Sequence, residues 1–347
     1  MKPAVTFLTS RSRFRGIAIV TGVLLFGTAL SVKSEPASDS TADIAQQIGA
    51  IMSQKPSGRA GLRFVHAKGI VCQGSFQPAP GASAISRAAH FGGDSVPVTV
   101  RFSDGAPDLA VPDNSPDAGP QGMAIRFMVG RGTDIVANSH NGFVVGTPED
   151  FLALQRALSS TDPSGPHPWP IEKFLQDRPL AIKFVQDVRA VPASFANQAF
   201  FGNHAFIFVN NEGQKQAGRY QIVPEAGLHY LDDATAKAMS PNFLIGDIQS
   251  RLAHGPVRYR LLLQLAGPGD VTNDASLVWP ESRKVVELGV LSITSTATDN
   301  AAAENELAFD PTRLIDGIQL SDDPLPRLRS RVYAISVASR RAHQKAH

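Results

Sequence analysis

The sequence is poor in cysteine, in charged residues and in long apolar runs. Cys72 is the only cysteine among 347 residues, which excludes a disulfide within the chain and any zinc site built from several thiolates. Its apolar neighbours favour a buried, structural thiol. Charged residues make up only 18% of the chain, and no apolar run reaches the roughly 20 residues of a membrane-spanning helix. The composition suits one large domain, or two small ones, with a real core.

The small positive charge of the chain lies at its N-terminus. The formal net charge is +2, from 33 basic and 31 acidic residues. Residues 1–35 hold five of the basic residues and one of the acidic ones, so the remainder carries 28 basic against 30 acidic residues. A slightly acidic remainder gives no reason to expect nucleic acid as a partner.

Residues 1–35 have the order of an export signal. Arg11, Arg13 and Arg15 precede the apolar run Gly16–Leu30, and small polar residues follow. This order of basic, apolar and small-polar segments is typical of secretory signals. No Ala-x-Ala cleavage site follows, so two alternatives stay open: a cleaved signal, which we favour, or an inner-membrane anchor formed by residues 16–30. Both predict export, and we expect a periplasmic location.

Glycine and proline are abundant, at 29 and 25 residues, which favours a turn-rich β or α+β domain over a helical bundle. Short segments with alternating apolar residues recur along the chain, separated by turn residues. The segments predicted as strands are Leu62–His66, Val96–Ser103, Met123–Val129, Asp134–Ala137, Gly142–Val145, His204–Asn210, Arg219–Val223 and Val257–Leu265. About eight such strands predict an antiparallel barrel or sandwich.

Helical periodicity predicts helices before, between and after these strands. The segments predicted as helices are Thr41–Gln54, Pro148–Leu158, Ile171–Val188, Asp232–Ser240, Pro241–Leu252 and Pro324–Arg341. The first helix, with the linker around it, occupies residues 36–60. The predicted fold class is α+β, with the antiparallel strands and their surrounding helices in residues 61–347.

Tyr333 is a candidate metal ligand because Arg329 precedes it by four residues. On a helix, this spacing places both side chains on one face. A phenol oxygen binds a metal as its anion, which a neighbouring guanidinium stabilises. Tyrosinate is one of the few protein ligands of haem iron and is the one found in catalase. By itself the pattern is common, so it needs the rest of a haem pocket upstream.

Three upstream segments carry the residues of such a pocket. They are Arg63–Gly69 (RFVHAKG), Val98–Ser103 (VTVRFS) and Asp134–Asn138 (DIVAN), and they precede Phe309–Tyr333. In these segments, and in their order, the chain resembles the haem catalase family. Its short length and lack of C-terminal extensions are similar to those of the small catalase-related peroxidases. The resemblance implies a large antiparallel β-barrel with helices packed around it, and haem b with ferric iron as the cofactor.

The resemblance implies a distal, peroxide-facing side. His66 matches the family's distal histidine, which takes a proton from the peroxide and returns it to the leaving oxygen. Asn138 matches the distal asparagine, which hydrogen-bonds the peroxide, and Phe143 falls at the offset of a distal lining residue. The family pattern Asn-Asn-Thr-Pro is replaced here by Asn138-Ser139-His140-Asn141. A turn residue therefore remains the alternative for Asn138, and the role of His140 stays open.

The remaining roles also follow from the resemblance. Tyr333 is the axial iron ligand, and Ser103 holds the distal histidine in one tautomer. The residues expected to neutralise the haem carboxylates or to lie beside Tyr333 are Arg63, Arg101, Arg329 and Arg340. His204 and Asp323 are expected to link to Arg329 and to hold its guanidinium against the phenolate.

These assignments predict a haem-dependent peroxidase that reduces organic hydroperoxides, hydrogen peroxide or both, with weak catalase activity. Its partners are the peroxide and a small reducing co-substrate. One alternative is a hydroperoxide isomerase, of the allene-oxide-synthase type, on the same haem. The other is an exported barrel that binds haem or a lipid and does no chemistry. The sequence leaves the oligomeric state open.

Overall fold

The structure is a computed structural model that describes residues 40–54, 61–187 and 190–346. The export signal or anchor predicted for residues 1–35 lies outside these residues, as does most of the linker. In the described residues, no helix combines the length and apolar composition needed to cross a membrane.

In the described residues, the strands belong to one antiparallel sheet and differ in length. They are β1 (Gly69–Pro78), β2 (Val96–Ser103), β3 (Gly122–Phe127), β4 (Thr133–Asn138), β5 (Phe200–Phe201), β6 (Phe206–Val209), β7 (Lys215–Pro224), β8 (Val257–Leu265), β9 (Val285–Thr296) and β10 (Ile318–Leu320). Within the described residues, eight strands close into a barrel in the order β7-β5-β4-β3-β2-β1-β9-β8, and β8 pairs back with β7. β6 pairs with β7 beside β5, and β10 extends this edge. The predicted barrel of about eight strands is confirmed.

The barrel interior is aromatic and aliphatic. Phe76, Phe102, Phe127 and Phe200 are completely buried there, and Phe102 stacks within a group that includes Tyr259. Burying one such ring contributes about 1.5–3 kcal/mol. These inward side chains fill the barrel interior as a protein core, so a large cavity is expected outside the barrel wall.

Strand β2 contributes apolar side chains to the barrel core and polar side chains to the outer face of the barrel. Val98, Val100 and Phe102 point inward, as the alternation predicts. On the outer face, Arg101 is only 4% exposed and Ser103 is only 3% exposed. An arginine is buried this deeply only where other groups cover it and pair with it. The outer face of β2 therefore borders a covered polar site.

Two segments predicted as strands are not strands. Leu62–His66 forms turns, and the amide of His66 donates to the carbonyl of Gly105 instead of joining a ladder. Gly142–Val145 forms a loop, pinned where the Phe143 amide donates to the Ala275 carbonyl at 2.8 Å. Alternating apolar residues in both segments bury side chains against neighbouring elements without strand pairing.

Three strands of the barrel, β1, β5 and β9, are not predicted from the sequence. Gly74 interrupts the alternation of β1, and the register between β1 and β9 shifts between Gln73 and Gly74. A Cβ at Gly74 would lie 2.3 Å from the carbonyl oxygen of Ser292, so only glycine allows the two backbones to approach there.

The helices lie around this barrel. They are α1 (Ser40–Ser53), α2 (Ala82–Ile85), α3 (Pro148–Ser160), α4 (Pro170–Gln176), α5 (Pro179–Asp187), α6 (Asp233–Ala238), α7 (Phe243–His254), α8 (Asn300–Glu306) and α9 (Leu325–Ala346). The single helix predicted for Ile171–Val188 is wrong. Pro179 has no amide hydrogen and disfavours helical geometry at Arg178, so the segment breaks into α4 and α5.

Helix α9 is held in place by α1. Ile48 and Met52 of α1 share an apolar cluster with Leu328 and Val332 of α9. At Gly49 the helices approach so closely that a Cβ would lie 2.9 Å from Cγ2 of Ile335. This packing fixes the rotation of α9 and therefore the direction in which its polar face points.

Candidate active site

A cavity lies between α9 and the outer face of the barrel wall. Its open volume is about 1120 Å³, mouth included. Its walls come from β2, β3, β4, the loop before β1 and one face of α9. The residues that α9 contributes are Arg329, Val332, Tyr333, Ser336, Val337 and Arg340. Spacings of three and four residues put these side chains on one stripe of the helix.

Tyr333 and Arg329 are in direct contact, as their spacing predicts. The Nε and Nη2 groups of Arg329 donate to the phenol oxygen of Tyr333 at 3.0 and 2.6 Å. Two donors from one charged guanidinium stabilise negative charge on that oxygen more strongly than neutral donors would. Tyr333 thus presents an electron-rich oxygen to the cavity.

The guanidinium of Arg329 is held by a chain of two further residues. Its Nη1 lies 2.7 Å from Nε2 of His204, and Nδ1 of His204 lies 2.7 Å from Oδ2 of Asp323. Burial lowers the pKa of His204, and Asp323 opposes this shift. An arginine can only donate, so Nε2 accepts and the Nδ1 hydrogen is donated to Asp323. The structure therefore brings together the three residues of the predicted relay.

Asp323 also serves the helix. Its Oδ1 accepts from the amide of Leu325, at the start of α9, at 2.9 Å. A carboxylate there satisfies a helix amide that has no partner within the helix. One side chain thus starts the helix that carries Tyr333 and anchors the relay that holds Arg329.

On the expectation from the sequence that Tyr333 holds a haem iron, replacing Asp323 by Asn should weaken haem retention about 10–100-fold, the usual effect of losing the partner of a metal-ligand group. The amide can donate to Nδ1 of His204 and so favour the wrong tautomer, which would turn an N–H toward Arg329. Haem retention is measured as the rate at which haem passes from the variant to an acceptor apoprotein, followed by Soret absorbance. Asp322→Asn is the matched control, because Asp322 is the exposed neighbour. Equal haem loss from both variants would argue against the relay.

His66 lies in the loop before β1 with a left-handed backbone, at φ 54°. A non-glycine residue in this conformation is strained and must be held by its surroundings. Nδ1 of its ring lies 3.1 Å from Oγ of Ser103, and Arg101 Nη2 donates to its carbonyl at 2.8 Å. These contacts fix the ring at the cavity wall.

The electrostatic setting keeps the His66 ring neutral. Burial and, to a lesser extent, the charges of Arg101 and Arg329 together lower its pKa to about 3. Gly122 of β3 leaves room for the ring, because a Cβ there would lie 2.9 Å from Nδ1 of His66 and 2.8 Å from Oγ of Ser103. A neutral imidazole that lines a cavity can accept a proton over the whole ordinary pH range.

Asn138 ends β4 at the cavity and also makes a turn. Its Oδ1 accepts from the amide of His140 at 2.9 Å and from Nδ2 of Asn203 at 3.5 Å. The turn that the sequence left as an alternative is therefore present. Both contacts use Oδ1, so Nδ2 of Asn138 is the group that would donate to a ligand in the cavity.

Phe143 lines the cavity, and its ring contacts Phe151 as well as the relay. Its ring lies 5.6 Å from the guanidinium carbon of Arg329 and 5.9 Å from the ring of His204. Its distal position stays a prediction. His140 does not line the cavity; it is half-buried, with its ring against Phe184 at 4.8 Å. Burial lowers the pKa of His140.

Arg63, Arg101 and Arg340 form an arginine cluster at one end of the cavity. They converge on Glu304 of α8: Arg63 Nε and Arg101 Nε lie 3.2 and 2.6 Å from its carboxylate oxygens, and Arg340 Nη1 donates to its backbone carbonyl at 2.8 Å. Burial, and then repulsion from Arg101, lower the pKa of Arg63 to about 9. Nε of Arg340 is buried without a partner in the described residues.

This donor set fits haem. Three guanidinium groups face the cavity with one carboxylate between them, which leaves two positive charges for the two carboxylates of a haem. A phenol oxygen paired with a guanidinium is a ligand type suited to haem iron. Apolar side chains, among them Val136, Phe151 and Phe309, supply walls for a macrocycle.

Sequence reasoning missed three residues of this site. Asn203 precedes His204, and its side chain donates to Asn138 and to the carbonyls of His140 and Gly142. A polar side chain directly before the predicted site residue His204 could have indicated this role. Gly122 could only be recognised once Ser103 and His66 were known to meet beside it. Glu304 gave no signal, since an acid on a short surface helix is ordinary.

A closed antiparallel barrel, with a helix-borne tyrosine and a half-buried histidine at one cavity outside its wall, defines the class of catalase-fold haem proteins. Residues 51–345 match the family model described as Catalase. The chain belongs to the catalase family.

Two relatives are similar over most of their length. A catalase-related peroxidase of Mycolicibacterium paratuberculosis is 35% identical over 285 residues, covering 81% of this chain and 89% of that protein. A catalase-related peroxidase of Synechococcus elongatus is 30% identical over 333 residues, covering 94% of this chain and 96% of that protein. The similarity thus extends over nearly the whole of both small proteins.

Solved structures of larger catalases share the fold. A fungal catalase superposes with a TM-score of 0.72 at 20% identity, covering 91% of this chain and 66% of that one. Catalase A from Saccharomyces cerevisiae gives a TM-score of 0.72 at 19% identity, covering 91% and 67%. This chain therefore spans about two thirds of the length of these catalases.

Proposed function

We propose that this protein is a haem-dependent peroxidase that reduces hydrogen peroxide, organic hydroperoxides or both. The observation that carries the proposal is one cavity lined by Tyr333 with its Arg329 partner and by the neutral, half-buried His66. The relatives of similar length, which are named catalase-related peroxidases, support it.

The cofactor we propose is haem b. Tyr333 would hold its iron, and Arg63, Arg101 and Arg340 would hold its carboxylates. When bound, haem supplies the redox centre that accepts two oxidising equivalents from a peroxide and passes them to a reductant. Arg329, held by the relay behind it, donates two hydrogen bonds to the Tyr333 oxygen and would stabilise the charge of that oxygen as an iron ligand.

The protein's own part in peroxide cleavage is proton transfer and orientation. Neutral His66 accepts the proton of the peroxide O–H group and returns it to the departing oxygen, which leaves as an alcohol or as water. Ser103 at Nδ1 limits rotation of the ring, and Nδ2 of Asn138 donates to the bound peroxide. Two electrons and two protons per ROOH, giving ROH and water, complete the balance, and the small reducing co-substrate supplies the electrons.

We also propose that the protein acts in the periplasm, after export by residues 1–35 or while attached through residues 16–30. The support is the order of basic, apolar and small-polar residues in that segment. Fractionation of cells that express the full chain, compared with a chain lacking residues 1–35, tests it. Equal distribution of the two would count against export.

Product analysis tests the proposed activity. The purified protein is expected to show a Soret band and to convert an organic hydroperoxide to its alcohol with stoichiometric oxidation of an added electron donor. Formation of a rearranged product without donor would instead identify an isomerase. Bound haem with no peroxide consumption would identify a binding protein.

A further inference from the structure

Glu304 is the carboxylate that the structure pairs with the arginine cluster. Its side chain is 17% exposed and bonds to Arg63 Nε and Arg101 Nε. Both arginines and Arg340 line the cavity, whereas Glu304 does not. The guanidinium groups therefore separate Glu304 from the space in which a ligand would lie.

The last turn of α8 holds the cluster through its backbone as well. Arg63 Nη2 donates to the carbonyls of Glu304 and Leu307 at 3.0 and 2.8 Å. Arg340 Nη1 donates to the carbonyl of Glu304 at 2.8 Å. The carbonyl oxygens fix the directions of the side chains, but among the described residues it is the Glu304 carboxylate that offsets a full charge of the cluster.

We propose that Glu304 is the internal counter-ion that sets this site at two positive charges, so that it selects a macrocycle bearing two carboxylates. This inference rests on the proposed haem-binding function. Arg101 and Arg340 are buried and Arg63 is half-buried, so without a counter-ion the three guanidinium groups would repel one another. Burial first, and then repulsion from Arg101, lower the pKa of Arg63. Glu304 offsets one charge, and the two haem carboxylates offset the others.

The test compares Glu304→Gln with Glu306→Gln, an exposed position on the same helix. Glutamine keeps an oxygen that accepts from Arg101, so the change removes charge and not the hydrogen-bonding atom. For each full-length protein, the melting temperature is measured without cofactor, with haem and with haem dimethyl ester. The rate of transfer to an acceptor apoprotein is measured for both cofactors.

Glu304→Gln is expected to lower the melting temperature of the haem-free protein by about 5 °C or more, since a buried charge loses its partner. Addition of haem should bring the melting temperature of the variant back to that of the haem-bound wild type, whereas addition of haem dimethyl ester should not. The preference for haem over its ester should rise on the order of tenfold, the effect expected of one partly buried charge pair.

Two results would overturn the inference. One is Glu304→Gln behaving as Glu306→Gln does. The other is faster haem loss from Glu304→Gln than from the wild type, which would mean that Glu304 only orients the arginines. A wild-type protein that binds no haem would overturn the proposed function as well, so the two failures are distinguishable.

Discussion

Replacing Tyr333 by phenylalanine is expected to give a folded protein that loses haem at least about 100-fold faster than the wild type. The loss should exceed the roughly 10–100-fold effect of removing a partner of a metal ligand, because the ligand oxygen itself is removed. Phenylalanine keeps the ring, so the packing of α9 against α1 should survive. Soret intensity after gel filtration, and haem transfer to an acceptor apoprotein, measure the change.

The same substitution also leaves Arg329 without its partner on α9. Two donors of the half-buried guanidinium that now meet the Tyr333 oxygen would have no acceptor there, which costs stability, although the contact to His204 remains. Tyr230→Phe is the control, since Tyr230 is 42% exposed and its oxygen accepts from Gln198 at 3.2 Å. An unchanged Soret band and transfer rate in Tyr333→Phe would exclude Tyr333 as the ligand.

Helix α9 was predicted well because its signal is local. The spacing from Arg329 to Tyr333 places both side chains on one face, whatever the helix packs against. The strand β2 was predicted within its observed bounds for the same reason, since alternation of inward and outward residues is a property of the segment itself.

Contacts between residues that are distant in the sequence could not be predicted from residue spacing. Contacts such as His204 with Asp323, or Ser103 with His66, join residues far apart in the chain. They were predicted through the resemblance to catalases, and the structure brings these pairs together. Glu304 has no counterpart in the quoted motifs, so only the folded chain shows that it meets three arginines.

The backbone at His66 illustrates a limit of pattern reading. Its segment alternates like a strand, yet the chain turns there with φ 54°. The turn is held by contacts to Gly105 and Arg101, which a local pattern does not contain. Strain of this kind gathers at functional sites, because the surrounding fold must hold the residue in place.

Replacing His66 by alanine is expected to lower the rate of peroxide cleavage by about 10²–10⁴-fold, the range that general acid–base catalysis contributes. Haem should remain bound, since the proposed ligand and the arginine cluster are untouched. Stopped-flow spectra of the haem after mixing with peroxide measure the rate. His254→Gln, at an exposed position on α7, is the control. A cleavage rate within a few-fold of the wild type would assign the proton transfer to another group.

The pH dependence of the wild type tests the same assignment independently. A base works while it is unprotonated, and the pKa of His66 is lowered to about 3 by burial and by two arginines. The cleavage rate should therefore stay level as the pH falls from 8 to 5, whereas a histidine with an ordinary pKa of about 6.5 would already be mostly protonated at pH 5. The decline should begin only near pH 4. An inflection close to pH 6.5 in the wild type, absent from His66→Ala, would show that the ring is far more solvated than its place beside Ser103 and Arg101 implies.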